Sequence, residues 1–171
     1  GSYDAAKLEG FVSGPVAGTL SARLAVAAET GGGWQYHRDT GETLGDKDTK
    51  ALRLRLNWRP SDQTDLDLNV HYSQDKSDGR GLRLITTPFT SGGGKVYPVD
   101  TAHRITGWGI SPYFAQLIGV SPNAKPFRDN EGKGVSLRLN HDLGWATLTA
   151  VAAYEAFDRK EFNDWDATAS N

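Results

Sequence analysis

"ALRLRLNWRPSDQTDLDLNVHY", residues 51–72, decides the fold. Leu52, Leu54, Leu56 and Trp58 alternate with Arg53, Arg55 and Asn57. After a turn, Leu66, Leu68, Val70 and Tyr72 alternate with Asp65, Asp67, Asn69 and His71. Side chains two residues apart share one face of a strand, so both runs are β-strands and not helices. Between them, Arg59-Pro60-Ser61-Asp62-Gln63 has turn chemistry, because Pro presets φ and Ser and Asp bond their own backbone. The stretch is therefore an antiparallel hairpin with one aliphatic face and one almost fully ionic face.

The same scheme recurs on either side. In residues 4–29, Ala6, Leu8, Gly10 and Val12 oppose Lys7 and Glu9. After Ser-Gly-Pro-Val-Ala-Gly, Leu20, Ala22, Leu24, Val26 and Ala28 oppose Ser21, Arg23 and Glu29. In residues 134–157, Val135, Leu137 and Leu139 oppose Ser136, Arg138 and Asn140. The return strand carries Leu148, Ala150, Ala152 and Tyr154 on one face, with Thr147, Thr149 and Val151 on the other. The chain therefore reads as all-β: antiparallel up-and-down strands, about six, in hairpins near 3–29, 49–74 and 134–156. Long loops near 30–48 and 75–133 alternate with the short turns. Within the second loop, Ser111 as N-cap and Pro112 at the first helical position predict a helix of about two turns.

Composition narrows the class. The 171 residues include no Cys and no Met, 20 Gly and a formal net charge of −2. Without cysteine there is neither a disulfide framework nor a thiolate metal site. Near-neutral charge argues against a nucleic-acid partner, which calls for a basic footprint. No apolar run approaches the roughly 20 residues of a membrane helix. A start at Gly-Ser-Tyr without Met points to a piece of a longer chain. Hydrophobic content of 37% suits a single sheet with one apolar face. Short turns alternating with long loops are the asymmetry of outer-membrane β-barrels, whose outward face meets lipid.

The motifs carry a resemblance. Glu9-Gly10-Phe11-Val12-Ser13-Gly14-Pro15, Ala22-Arg23-Leu24, Thr40-Gly41-Glu42-Thr43-Leu44-Gly45-Asp46 and Leu56-Asn57-Trp58-Arg59-Pro60-Ser61-Asp62 resemble the early barrel strands of TonB-dependent outer-membrane receptors. Residues 146–168 look like a hairpin return of that family. The likeness covers most of the chain and leaves 80–130 least constrained. It implies a transmembrane β-barrel segment in the outer membrane of a Gram-negative cell. It further implies import of a scarce nutrient (an iron chelate such as a ferric siderophore, cobalamin or a glycan) and no enzymatic activity or cofactor. Its implied partners are outer-membrane lipid, the receptor's own plug domain, TonB and the small-molecule substrate. The sequence contains no TonB box, plug domain or C-terminal aromatic-ended strand. As a fragment its six strands would form an open sheet with two unpaired edges.

On this reading Arg23, Arg53, Arg55, Asp65, Asp67 and Arg138 face the lumen and the plug. The loops supply candidate substrate contacts in Trp34, Tyr36, Arg38, Arg83, His103, Arg104, Trp108 and Tyr113, because aromatics and Arg dominate binding hot spots. The competing role for each is loop-to-loop packing. Three other patterns carry less. Asp65-x-Asp67-x-Asn69 matches the start of a calcium loop, yet Val70 stands where that loop needs Gly, and strand alternation explains the spacing. Gly92-Gly93-Gly94-Lys95 lacks the earlier Gly and the following Ser/Thr of a phosphate loop. The histidines at 37, 71, 103 and 141 show no metal-binding spacing. Two rival classes stay open: a passive porin segment, and a soluble glycan-binding β-sandwich whose second sheet would cover the aliphatic face.

Overall fold

A short 3-10 turn at Ser2–Asp4 leads into β1 (Ala6–Ala17) and β2 (Leu20–Gly31) in the computed structural model, which describes residues 1–85, 99–122 and 124–165. There follow β3 (Gln35–His37), β4 (Thr43–Leu44), β5 (Lys47–Ser61), β6 (Thr64–Asp75), β7 (Ile105–Thr106), α1 (Pro112–Ile118), β8 (Phe127–Asp142) and β9 (Thr147–Phe162). The six long strands form one antiparallel sheet in the order β1-β2-β5-β6-β8-β9. Each is a spatial neighbour of the next long strand in sequence, the simplest meander. Among the described residues the sheet does not close, and β1 and β9 each keep a free edge.

Register shows how alternation becomes two surfaces. Val12 pairs with Leu24, Leu24 with Leu54, Leu54 with Val70, Val70 with Val135, and Val135 with Tyr154. Directly paired side chains project to the same side of a sheet. One step along, Ser13, Arg23, Arg55, Asn69, Ser136 and Ala153 make the corresponding row on the opposite face. Every aliphatic position expected from the alternation falls on one face, and Arg23, Arg53, Arg55, Asp65, Asp67 and Arg138 share the other. A slip of one residue in any strand would exchange the two sets, so the patterning excludes odd slips and the short turns fix the rest of the register.

The short connections are tighter than the sequence implies. β1 continues through Pro15 to Ala17, leaving only Gly18 and Thr19 as the turn, with the register shifting between Pro15 and Ala17. β5 likewise runs through Pro60 to Ser61, with a shift between Trp58 and Ser61 and a turn of Asp62 and Gln63. Proline cannot donate to a ladder, but it is tolerated at edges and irregular pairings, so here it bends the strand end without ending it. At the third turn Gly144 takes a φ of 83° and donates to Asp142 Oδ1 at 2.7 Å. His141 lies in β8 and meets Thr64 Oγ1 at 2.9 Å through Nδ1. The last two strands also reach further from their turn than the predicted hairpin. Phe127 to Lys133 pairs with Phe162 to Ala156, beyond the aliphatic rows, where alternation carries little apolar signal.

The two long connections are not structureless. β3 pairs antiparallel with β4 and parallel with β7, so a three-stranded sheet of order β4-β3-β7 stitches the first connection to the second. The helix forms where it was expected. Ser111 Oγ accepts from the Phe114 N–H at 3.2 Å, Pro112 opens the helix, and Gly119 closes it with a φ of 69°. A side-chain cap of this kind contributes about 1 kcal/mol. The Gly92-Gly93-Gly94-Lys95 segment lies outside the described residues.

The core is in the connections, not in the wall. Among the described residues the buried hydrophobic side chains are Leu44, Leu84, Trp108, Ile110 and Ala115, and none belongs to a long strand. The aliphatic face is open instead, with Leu8, Val12, Val26, Leu52 and Leu148 all exposed.

Candidate functional site

The connections converge on a compact cap at one end of the sheet, and its polar groups explain how it holds. Gln35, at the start of β3, turns its side-chain amide to Gly81: Nε2 donates to the Gly81 carbonyl at 3.1 Å and Oε1 accepts the Gly81 N–H at 3.2 Å. A side chain thus acts as a strand partner, satisfying a backbone segment that has no ladder of its own. Thr106 Oγ1 donates to the Leu82 carbonyl at 2.7 Å, tying β7 to the same segment. Asp78 is a hub. Its Oδ2 accepts from the Gly45 and Asp46 N–H groups at 3.0 and 3.1 Å and from Lys125 Nζ at 3.1 Å. That joins the end of the first connection to both ends of the second.

Two of the candidate contacts are inside this cap. Arg38 forms a two-point pair with Asp100, Nε to Oδ1 at 3.0 Å and Nη2 to Oδ2 at 2.9 Å. Asp100 Oδ2 also accepts the Leu84 N–H at 2.6 Å. Trp108 is buried and meets the ring of His37 edge-on, with centroids 4.5 Å apart. His37 Nδ1 lies 3.1 and 3.3 Å from the N–H groups of Asp39 and Thr40, which can only donate. The proton of the neutral ring is therefore on Nε2, which donates to the Trp108 carbonyl at 3.0 Å. For Arg38 and Trp108 the structure shows loop-to-loop packing.

The other candidates remain at the surface in three groups. Trp34, Tyr36 and Arg104 are together: Arg104 Nε donates to the Trp34 carbonyl at 3.2 Å, and the Tyr36 N–H donates to the Arg104 carbonyl at 2.8 Å. The Arg104 guanidinium also lies over the Tyr3 ring, 5.3 Å from its centroid. Arg83 and His103 form a separate exposed pair, Nη1 to Nδ1 at 3.0 Å. Tyr113 stands on α1, 71% exposed, edge-on to Phe114 at 5.7 Å, with Leu117 and Ile118 also exposed beside them. A single helix thus presents four large apolar side chains outward and buries only Ala115.

Between cap and wall lies a cleft of about 400 Å³, with Trp34, Gln35 and Arg80 on the cap side and Thr49, Asp75 and Arg128 on the sheet side. Those sheet residues belong to the polar face, so the cleft opens at the cap end of that face. It mixes both charge signs with one aromatic edge, which suits orienting a polar solute more than sequestering an apolar one. Among the described residues there is no cluster of acidic or His side chains arranged to hold a metal ion. In particular, Asp65 and Asp67 are engaged by Asn57 Nδ2 at 2.9 and 3.0 Å, and Asp65 also by Arg59 Nε at 2.8 Å.

Several residues that shape the site carried no local signal. Asp100, Gly81 and Asp78 read as ordinary loop residues, and Tyr3 lies ahead of the first strand. Phe114, Leu117 and Ile118 lie in the helix that Ser111 and Pro112 predict, but nothing local shows that they face outward. The wall beneath them has its own borders. Trp58 is exposed at the turn end of the aliphatic face and Trp145 in the third turn, Tyr72 is exposed toward the cap end, and Tyr154 stands in the middle row opposite Val135. From Leu66 to Tyr72 that face runs about 20 Å along the strand at roughly 3.3 Å per residue. Compared with known proteins, the chain matches no protein-family model and no curated protein sequence.

Proposed function

We propose that this chain is part of the wall of a TonB-dependent outer-membrane receptor that imports a scarce nutrient such as an iron chelate, cobalamin or a glycan. One observation carries the reading: a six-stranded sheet with an exposed aliphatic face, with Trp58 toward its turn end and Tyr72 toward its cap end, and a mainly polar opposite face. An outward apolar band between aromatic girdles with a polar interior is the pattern of a membrane β-barrel. The motif resemblance of residues 9–15, 22–24, 40–46 and 56–62 narrows the class to the receptor family. In this reading both free edges pair with further strands, since an unpaired edge is not tolerated in hydrocarbon. The cap lies outside the cell, the plug fills the polar side, and Trp34, Tyr36, Arg104 and the outer side of α1 meet the substrate.

The exposed band weighs against the soluble sandwich, which needs that face covered. The passive porin shares the wall and differs in energetics. The deciding experiment is uptake of labelled ferric chelate, cobalamin or oligosaccharide by cells with and without the gene, each in the presence and absence of TonB. Uptake that requires both supports the receptor. Uptake that requires the gene but persists without TonB identifies a porin and overturns the proposal.

A further inference from the structure

We infer that His37 makes closure of the cap acid-sensitive: a second proton on its ring opens the junction between the two long connections. The device belongs to the cap alone and holds whatever the sheet faces.

His37 is 4% exposed, and both of its ring nitrogens are in use. Nδ1 accepts the N–H groups of Asp39 and Thr40 at 3.1 and 3.3 Å. Its backbone closes the same turn: the His37 carbonyl accepts the Gly41 N–H at 2.9 Å, and the His37 N–H donates to the Glu42 carbonyl at 2.8 Å. Nε2 donates to the Trp108 carbonyl at 3.0 Å, holding the segment that leads into α1. One ring therefore shapes the turn after β3 through its lone pair and ties down the second connection through its proton. A doubly protonated ring has two donors and no lone pair. Its Nδ1 proton would point at two buried N–H groups that cannot accept it. Such an unmet buried charge costs far more than an unmet neutral group.

The charged groups around the ring are engaged elsewhere or exposed. Among the described residues no carboxylate bonds either ring nitrogen. On the same turn Arg38 is held by Asp100, while Asp39 and Glu42 are exposed. On the segment entering β7, Arg104 turns to the Trp34 carbonyl and the Tyr3 ring, and His103 pairs with Arg83. Beside Trp108, Asp164 accepts the Gly109 N–H at 2.8 Å. With the cap open the ring is in water, where an imidazole takes its second proton around pH 6.5. The open form thus binds one proton more than the closed form. Closure is therefore complete above that range and weakens as the pH falls through it.

The test uses the full-length polypeptide carrying this sequence and reads hydrogen exchange as protection relative to the free-peptide rate at each pH. Protection across 34–44 and 104–110 should fall about tenfold between about pH 7.5 and about pH 5.5, the change one linked proton gives, measured against β5 and β6 as reference. His37→Asn keeps an acceptor near the Nδ1 position and cannot titrate. Its cap should be weaker at neutral pH and lose no further protection in acid. His103→Asn removes the exposed imidazole and should leave the parent's acid response intact. A parent ratio that does not change with pH overturns the switch. So does an acid loss in His37→Asn equal to the parent's, or the disappearance of that loss in His103→Asn. If His37→Asn forms no protected cap at all, the parent's own profile decides. A loss that sets in near pH 6.5 supports the ring as the proton's site, and one that begins only below about pH 5 belongs to carboxylates such as Asp100 and overturns it.

Discussion

Arg38 and Asp100 lie 62 residues apart in the chain yet form a two-point ion pair whose side chains are only 7% and 1% exposed. The pair clamps the first long connection to the second at a place where neither has a long ladder. Removing one partner of a buried pair leaves an uncompensated charge and typically costs about 3–5 kcal/mol. We expect Asp100→Ala to open the cap while the sheet persists. Hydrogen exchange should rise across 34–44 and 104–110 with little change in β5 and β6. Equal loss of protection in both regions would show that cap and wall unfold as one unit.

Gly81 tests the cap by volume instead of charge. A Cβ there would stand 2.6 Å from Thr106 Oγ1, 2.8 Å from Gln35 Oε1 and 2.9 Å from Leu44 Cδ2. Thr106 Oγ1 and Gln35 Oε1 are held by hydrogen bonds and Leu44 is fully buried, so they cannot all withdraw. Overpacking of this kind costs about 1–3 kcal/mol, so Gly81→Ala should lower the cap's unfolding midpoint, whereas Gly41→Ala, with open space around it, should act through its φ of 72° alone. Limited proteolysis of the cap against denaturant measures both.

The register makes a disulfide prediction. Arg55 is paired with Asn69, and Asn57 with Asp67. Facing residues of an antiparallel pair have Cα atoms about 4.5–5.5 Å apart, inside the range a disulfide spans. R55C/N69C should therefore oxidise readily, and R55C/D67C, displaced by one face repeat, should oxidise poorly. Preferential linkage from position 55 to 66 or 68 would place the register off by one and the faces reversed.

If the aliphatic face meets lipid, arginine at Leu54 or Leu68 near the middle of the band should cost about 2–4 kcal/mol in the intact barrel. Arginine at Asn69, on the opposite face, should cost far less. Refolding titrations into vesicles would read the difference, and equal penalties would remove the membrane assignment of the face.

The outer side of α1 gives a functional prediction. Tyr113 and Phe114 contact little besides each other, so Tyr113→Ser and Phe114→Ser should change stability by no more than about 0.5 kcal/mol. If the chain is part of a receptor as proposed, the same changes in the full-length protein should weaken substrate binding severalfold. Unchanged affinity would move the binding role to Trp34, Tyr36 and Arg104. These point changes are sharper than deleting the loop, because residues 100–118 contain Asp100 and Trp108 and their loss would dismantle the cap.

What was legible in the sequence follows from the range of the interactions. Leu54 and Arg55 announce their faces because strand alternation is local, and Ser111-Pro112 announces a helix start for the same reason. The cap was not legible. Arg38 needs Asp100, Gln35 needs Gly81, and His37 needs Trp108, each pair joined across more than one connection. Arginine and tryptophan are enriched wherever water is excluded, inside a core as well as under a ligand. Residue type therefore marked Arg38, Trp108, Trp34 and Tyr113 alike, and only the fold separates the two that turn inward from the two that remain outside. Pro15 and Pro60 misplaced the turns because a proline's tolerance depends on whether its N–H side has a neighbour, which is a property of the sheet.

The separation of the buried side chains from the long strands has a consequence for assembly. Leu44, Trp108 and Ala115 are shielded by other parts of the chain, so the cap can reach its final form in water. Leu24, Leu52 and Val70 have no such shelter and, in a barrel, obtain it only from acyl chains. On the barrel reading, one polypeptide is thus written for two solvents. With the cap outside the cell, as that reading has it, these loops cross the bilayer ahead of the short turns, so the cap would take its final form on the far side and the wall would find its solvent between.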